Sequence, residues 1–112
     1  MMKVSEIAEK LGLMIYTSAD EAEKKEVSGC YTGDLLSLAM SRVEQGFAWI
    51  TIQTNINIVA VASLAEAACI IIADGFTPDE NAIKKAIEEN IVILGGESSA
   101  YQVATGLAKL GI

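Results

Sequence analysis

The run IVILGGESSAYQ, residues 91–102, carries an apolar strand through two glycines into an acid, two serines and the start of a helix. Phosphate and dinucleotide sites are built on that arrangement. Glycines let the backbone approach a ligand, and a helix start offers N–H groups with no partner in the helix. Two further strand-to-helix corners have the same form, QTN at 53–55 and ADGFT at 73–77. In an open parallel sheet such corners gather beyond the carboxyl ends of the strands, where ligands bind. Thr54, Asn55, Asp74, Gly75, Gly95, Gly96, Glu97 and Ser98 are therefore the expected rim of one ligand site.

A plainer reading covers the same residues. Ser99 and Gln102 form an S-x-x-Q capping box, and Gly75, Gly95 and Gly96 supply tight turns with positive φ. On that reading GGESS is first a capped corner and only second one half of a pocket.

Charge narrows the ligand. Asp74 and Glu97 both stand at this edge, and no lysine or arginine accompanies them in the three turns. A polyphosphate would meet two carboxylates, a cost that helix dipoles hardly offset, whereas ribose hydroxyls or an amine would be welcome. The chain has neither G-x-x-x-x-G-K-[ST] nor G-x-G-x-x-G, so P-loop phosphoryl transfer is not expected. A metal held by Asp74 and Glu97 alone would rest on two ligands, and no metal or cofactor is assigned. The chain has no histidine, which removes the commonest general base and the commonest metal ligand together. No nucleophile with an oriented base can be assembled, and the chain is not expected to be an enzyme. Cys69, inside ACIIIA, reads as a small buried hydrophobe, while Cys30, in SGCYTGD, reads as partly exposed.

Fifteen acidic residues against eight basic ones give a formal charge of −7, and the only arginine is Arg42. Such a surface repels nucleic acid and anionic lipid. MMKVSEIAEKLG is an amphipathic helix in pattern and not a secretory signal, and no apolar stretch is long enough to span a bilayer. A cytoplasmic location is expected. At 112 residues the chain has the length of one domain.

These corners need elements to hold them. Val4, Ile7, Ala8 and Leu11 have helical spacing over 3–11, with Gly12 as the stop, and LMIYT (13–17) reads as a short strand. SADEAEKKE (18–26) reads as a solvated, mobile connection, followed by an extended piece from VSG. TGDLLSLAMSRVEQG predicts a helix with Thr32 as N-cap and Gly46 as stop. FAWITIQ (47–53) predicts a buried strand. TNINIVAVASLAEAA has both strand-like alternation and helix length, and is assigned as helix from about 55 to 66. CIIIA (69–73) is a strand, and FTPDENAIKKAIEEN a helix whose T-x-x-E capping box is Thr77 with Glu80 and whose first residue is Pro78. IVIL (91–94) is a strand, and SSAYQVATGLAKLGI a closing helix. From residue 32 the order α-β-α-β-α-β-α predicts a small open α/β fold, a mostly parallel sheet with helices on both faces. The last helix offers Tyr101, Val103, Ala104, Leu107, Ala108, Leu110 and Ile112, more apolar positions than one buried side needs, which suits either a symmetric contact with a second copy or a helix whose two sides both pack into the domain's own core.

The succession WITIQTNINIVAVAS…IIIADGFTPDENAIKKAIEENIVIL, with KVSEIAEKLGL before it, resembles the DRTGG domain family over residues 3–112. Pro78-Asp79-Glu80, Gly75 and the strand spacing match that pattern. Thr54-Asn55 stand where the family's Asp-Arg would be, and Ala73-Asp74-Gly75 where its Thr-Gly-Gly would be. The resemblance implies a Rossmann-like fold and a single DRTGG-like domain over 1–112. It implies a non-catalytic regulatory or interaction module working as a homodimer, with a protein partner or a small metabolite. The alternative it leaves open is a sensor that binds a nucleotide or metabolite at the carboxyl edge. Such domains are similar to the amino-terminal domain of HPr kinase/phosphorylase, so a serine-kinase label can attach to them, but the kinase chemistry belongs to a P-loop domain. Small stand-alone versions beside iron-hydrogenase and redox genes of anaerobes imply a link to anaerobic redox or energy metabolism.

Overall fold

The computed structural model describes residues 1–112. The chain starts as β1 (Met2–Lys3) and turns at once into α1 (Val4–Leu11), whose Val4, Ile7 and Ala8 are buried on one side. Gly12 ends α1 at φ 66, its N–H turned back onto the carbonyls of Ala8 and Glu9. That left-handed closure is one glycine adopts without steric cost. There follow β2 (Met14–Ile15), α2 (Ala19–Lys24), β3 (Glu26–Val27), β4 (Gly29–Thr32), α3 (Leu36–Arg42), β5 (Phe47–Thr51), α4 (Asn57–Ala65), β6 (Cys69–Ile72), α5 (Glu80–Glu88), β7 (Ile93–Gly95) and α6 (Ala100–Lys109).

β1 and β3 form a separate antiparallel pair, and the other five strands make one sheet in the order β2-β7-β6-β5-β4. β4, β5, β6 and β7 are parallel, and β2 closes one edge antiparallel to β7. The α/β expectation holds. Because β4 to β7 lie side by side in chain order, crossovers of one hand put α3, α4 and α5 on the same face. Their core holds Ala39, Ile58, Ala62 and Ala82 against Trp49, Ile70, Ile72 and Ile93. The opposite face is covered by α1, α2 and α6, with Ile7, Ala22, Val103 and Leu107 against Ala48, Ile50, Ile71 and Leu94. The apolar strands thus alternate between two cores even where their sequence does not alternate in polarity. No helix is long and apolar enough to cross a membrane.

Several local expectations change. Residues 18–26 are not a loose connection. Ser18 accepts the Glu21 N–H, Asp20 and Glu21 occupy the first turn, Lys24 the last, and the fully buried Ala22 fastens α2 to the core. Thr32 is no N-cap but the last residue of β4, and α3 starts four residues later. The chain stays extended there because the Trp49 indole donates to the Gly33 carbonyl and Asp34 is tied to the end of β5. Thr77 and Glu80 form no capping box: Asp79 is the N-cap of α5, and Pro78 lies before the helix. The Asp79 N–H is spent on the Thr54 carbonyl, which holds that residue extended. β7 begins at Ile93 and takes in Gly95 as a buried strand residue. Positive φ falls on Asp74 and Gly75, not on Gly95 or Gly96.

The Ser99–Gln102 capping box is present in both directions, Gln102 N–H to Ser99 Oγ at 3.1 Å and Ser99 N–H to Gln102 Oε1 at 2.9 Å. The last helix is less two-sided than its composition implies. Val103 and Leu107 are buried, Ala104, Leu110 and Ile112 pack on the same core, and Tyr101 is 77% exposed.

Candidate functional site

The three corners lie at the carboxyl edge of the sheet, in two linked parts. β6 and β7 send their chains to opposite faces, to α5 and to α6, which makes the gap between their ends the topological switch point where such sheets hold ligands. Here that gap is stitched shut by backbone. The Asp74 N–H donates to the Ser98 carbonyl at 2.8 Å, and the Gly75 N–H to the Gly96 carbonyl at 2.9 Å. The exposed Glu97 folds its carboxylate over Gly75, where an added Cβ would come within 2.5 Å of Oε2. Gly75 is favoured there by its φ of +74, while the exposed Glu97 side chain is free to swing aside. Gly95 has a different reason: the Tyr16 ring lies on it, and a Cβ there would stand 2.8 Å from Cε2 and 3.2 Å from the Ile72 carbonyl.

The second part is the turn after β5. Thr54 meets the start of α5 through the Asp79 N–H at 2.9 Å. Asn55 turns inward: its Nδ2 donates to Gln53 Oε1 at 3.0 Å and its Oδ1 accepts the Asn57 N–H at 3.0 Å. It serves the first turn of α4 and is not presented to solvent as a free ligand group.

Asp34 organises this edge, and sequence reasoning missed it. Its Oδ1 accepts the Thr51 hydroxyl and the Ile52 N–H, both at 2.9 Å, while its carbonyl accepts Gln53 Nε2 at 3.0 Å. Thr51, 1% exposed, is the single buried polar side chain, and its hydroxyl also receives the Gln53 N–H at 3.2 Å. The signal was the sequence TGD, hidden by reading Thr32 as a helix cap. Asp34→Ala should cost about 2 kcal/mol, because a buried hydroxyl and a strand-end N–H lose their acceptor together. Asp34→Asn, which keeps an oxygen in place, should recover most of that loss in urea unfolding.

The resulting surface is shallow and rich in acceptors. Asp74, Phe76, Thr77 and Glu97 are exposed along it, and no group of three acidic or cysteine side chains converges on a point. The three hollows of the molecule lie elsewhere. One of about 400 Å³ sits between α4 and α5, one of about 380 Å³ at the amino edge beside Lys25, and one of about 290 Å³ near Met1 and Ile112. The thiols lie on the α1/α6 side: Cys30, Ala48 and Cys69 share one row across β4, β5 and β6. Burial pushes both thiols up, Cys69 to about 12, so neither is a nucleophile near neutral pH. Burial likewise lowers Lys25, whose ammonium donates to the Asn90 carbonyl.

No protein-family model matches the chain, and no curated protein matches it. A solved structure does: the CBS and DRTGG domains of the regulatory region of Clostridium perfringens pyrophosphatase, complexed with the activator diadenosine tetraphosphate. It superposes with a TM-score of 0.70 at 13% identity, over 92% of this chain and 44% of that one. The fold is shared. This chain therefore spans less than half the length of that regulatory region. Likeness at that identity establishes the fold alone.

Proposed function

We propose that this chain is a non-catalytic regulatory module, a DRTGG-like domain that works as a homodimer. One observation carries the reading: nearly the whole chain, 92% of it, adopts a fold found in an enzyme's regulatory region. The residues that match the DRTGG pattern support it, since Gly75 and Pro78-Asp79-Glu80 occupy the corner between β6 and α5. Asp34, Gln53 and Asn55 are engaged in holding turns, the work of a scaffold.

The neighbour's complex with a nucleotide activator favours a second reading, a small-ligand sensor. Its site would be the carboxyl edge, with Thr54, Asp74, Gly75, Gly96, Glu97 and Ser98 at its rim and Asn55 and Gly95 holding its turns. Asp74, Glu97 and the backbone turns would accept hydrogen bonds from ribose hydroxyls or an amine. The absence of a cation there sets them against free phosphate.

Thermal unfolding against diadenosine tetraphosphate, adenosine, AMP, ATP and a polyamine tests this reading. A ligand at about one hundred times its dissociation constant adds roughly 2.7 kcal/mol, a shift of several degrees at this size. A shift that Asp74→Ala abolishes places the ligand at the carboxyl edge. A flat panel with every probe removes the sensor reading and leaves the protein–protein module.

A further inference from the structure

Gly46, Ala68 and Ile91, which lead into β5, β6 and β7, border a hollow of about 380 Å³ at the amino edge of the sheet. It lies at the opposite end of the strands from the three ligand corners. Lys25, the residue before β3, lines it together with Glu26, Glu66 and Glu89.

Lys25 differs from every other lysine of the chain. The rest are exposed, and three of them pair with carboxylates: Lys3 with Glu23 at 4.0 Å, Lys24 with Glu21 at 3.5 Å and Lys85 with Glu89 at 3.1 Å. Lys25 is half-buried and makes no ion pair. Glu26, next in sequence, is taken by the amino terminus at 3.7 Å, and Glu89 by Lys85. The one bond of the Lys25 amine goes to an uncharged acceptor, the Asn90 carbonyl. Burial lowers Lys25 from its ordinary 10.5, against a smaller pull from Glu21 and Cys69 in the other direction. An ammonium is inert toward carbonyl carbons, whereas a desolvated, neutral lysine is the amine of imine chemistry. Such an amine keeps one N–H for Asn90 and offers its lone pair to the hollow.

We propose that Lys25 captures small neutral aldehydes as a reversible imine, in the hollow at the amino edge. The Nζ lone pair adds to the aldehyde carbon, and the electrons of the carbonyl π bond move to oxygen. A proton passes from nitrogen to oxygen, and the carbinolamine loses that oxygen as water, leaving a C=N bond. No oxidant or reductant enters. Protonated, the imine retains one N–H for the Asn90 carbonyl. Its charge lies beside the negative carboxyl ends of α4 and α5, whose caps, Glu66 and Glu89, line the hollow. The same carboxylates and helix ends select the electrophile. They repel acyl phosphates and other anionic donors, and a neutral aldehyde meets no such barrier.

Acetaldehyde with sodium cyanoborohydride, which reduces the imine to a stable secondary amine, tests the site on the full chain at neutral pH. Peptide mass mapping over time should find the first ethylated lysine to be Lys25, ahead of its neighbour Lys24 and of Lys10, Lys84 and Lys109. The amino terminus, whose α-amine reacts in any chain, is scored apart. Ser63→Phe, which narrows the hollow, should slow Lys25 and leave Lys24 unchanged. Acetyl phosphate should acetylate the exposed lysines before Lys25. Ethylation of Lys25 no earlier than that of the exposed lysines overturns the proposal in the wild type alone. Unchanged labelling of Lys25 in a Ser63→Phe chain with wild-type circular dichroism overturns the hollow as the site. Acetylation of Lys25 first overturns the selection of a neutral electrophile.

Discussion

Trp49→Ala lowers the stability of the domain by about 4 kcal/mol, a large part of the roughly 5–15 kcal/mol on which a fold of this kind stands. Trp49 is fully buried in the centre of β5 and is the largest side chain of the core under α3, α4 and α5. Its removal empties a space that Ile70, Ile72 and Ala39 are too constrained to fill, and a residual cavity adds to the lost transfer energy. It also takes away the indole N–H that holds the Gly33 carbonyl at 2.9 Å. That bond keeps the β4–α3 turn extended, and the next residue, Asp34, fixes the end of β5. Trp49→Phe separates the two effects. It retains most of the packing and loses the donor, so it should cost about 1–2 kcal/mol. Amide exchange at Gln53 should rise more than elsewhere, because the loss is focused on the carboxyl edge. Equal exchange at every strand end would show that Trp49 acts through volume alone.

Alkaline solution should destabilise the protein through Cys69. Burial raises that thiol from its ordinary 9.0 to about 12. The folded state then keeps a proton that the unfolded chain gives up. The stabilisation is complete below pH 9.0 and is lost as pH rises toward 12. At about 1.4 kcal/mol per pH unit, the loss approaches 4 kcal/mol at the top of the window. Cys30, also raised by burial, acts in the same direction. Lys25, lowered by burial, opposes them: stability gains as pH climbs through its folded value toward 10.5 and its cost of desolvation disappears. Urea unfolding of wild type and Cys69→Ala between pH 8 and 11 isolates the thiol. The variant should show a flatter decline, and parallel curves would refute the assignment.

Where the sequence was silent, long-range bonds usually spoke. Gly12 and the Ser99–Gln102 box were readable because their partners lie within four residues along the chain. The T-x-x-E box at Thr77 looked as strong and does not form, because Thr54, far away in sequence, takes the Asp79 N–H. Thr32 failed as a cap for the same kind of reason: β5 recruits it into a parallel register opposite Ile50. The segment 18–26 was misread in the other direction, since a single buried alanine, Ala22, turns a charged run into a docked helix.

The candidate rim was legible as a set of corners. Its chemistry was not. Residue types placed Asp74 and Glu97 at one edge and excluded a P-loop, because those facts depend on local composition. They could not show that backbone bonds from Asp74 to Ser98 and from Gly75 to Gly96 close the gap between β6 and β7. Nor could they show that Asn55 is spent on α4 while Asp34 governs the edge.

By itself the sequence determined the layered α/β architecture, the buried strands and the acidic character of the carboxyl edge. These follow from hydrophobic periodicity and from the charge each turn carries, which no partner can change. Tertiary structure alone decided which caps form, that α3, α4 and α5 share one face, and that an uncharged helix, α4, is left on the outside. Those outcomes depend on strand order, and strand order is set by which distant segments satisfy one another's hydrogen bonds and bury one another's side chains.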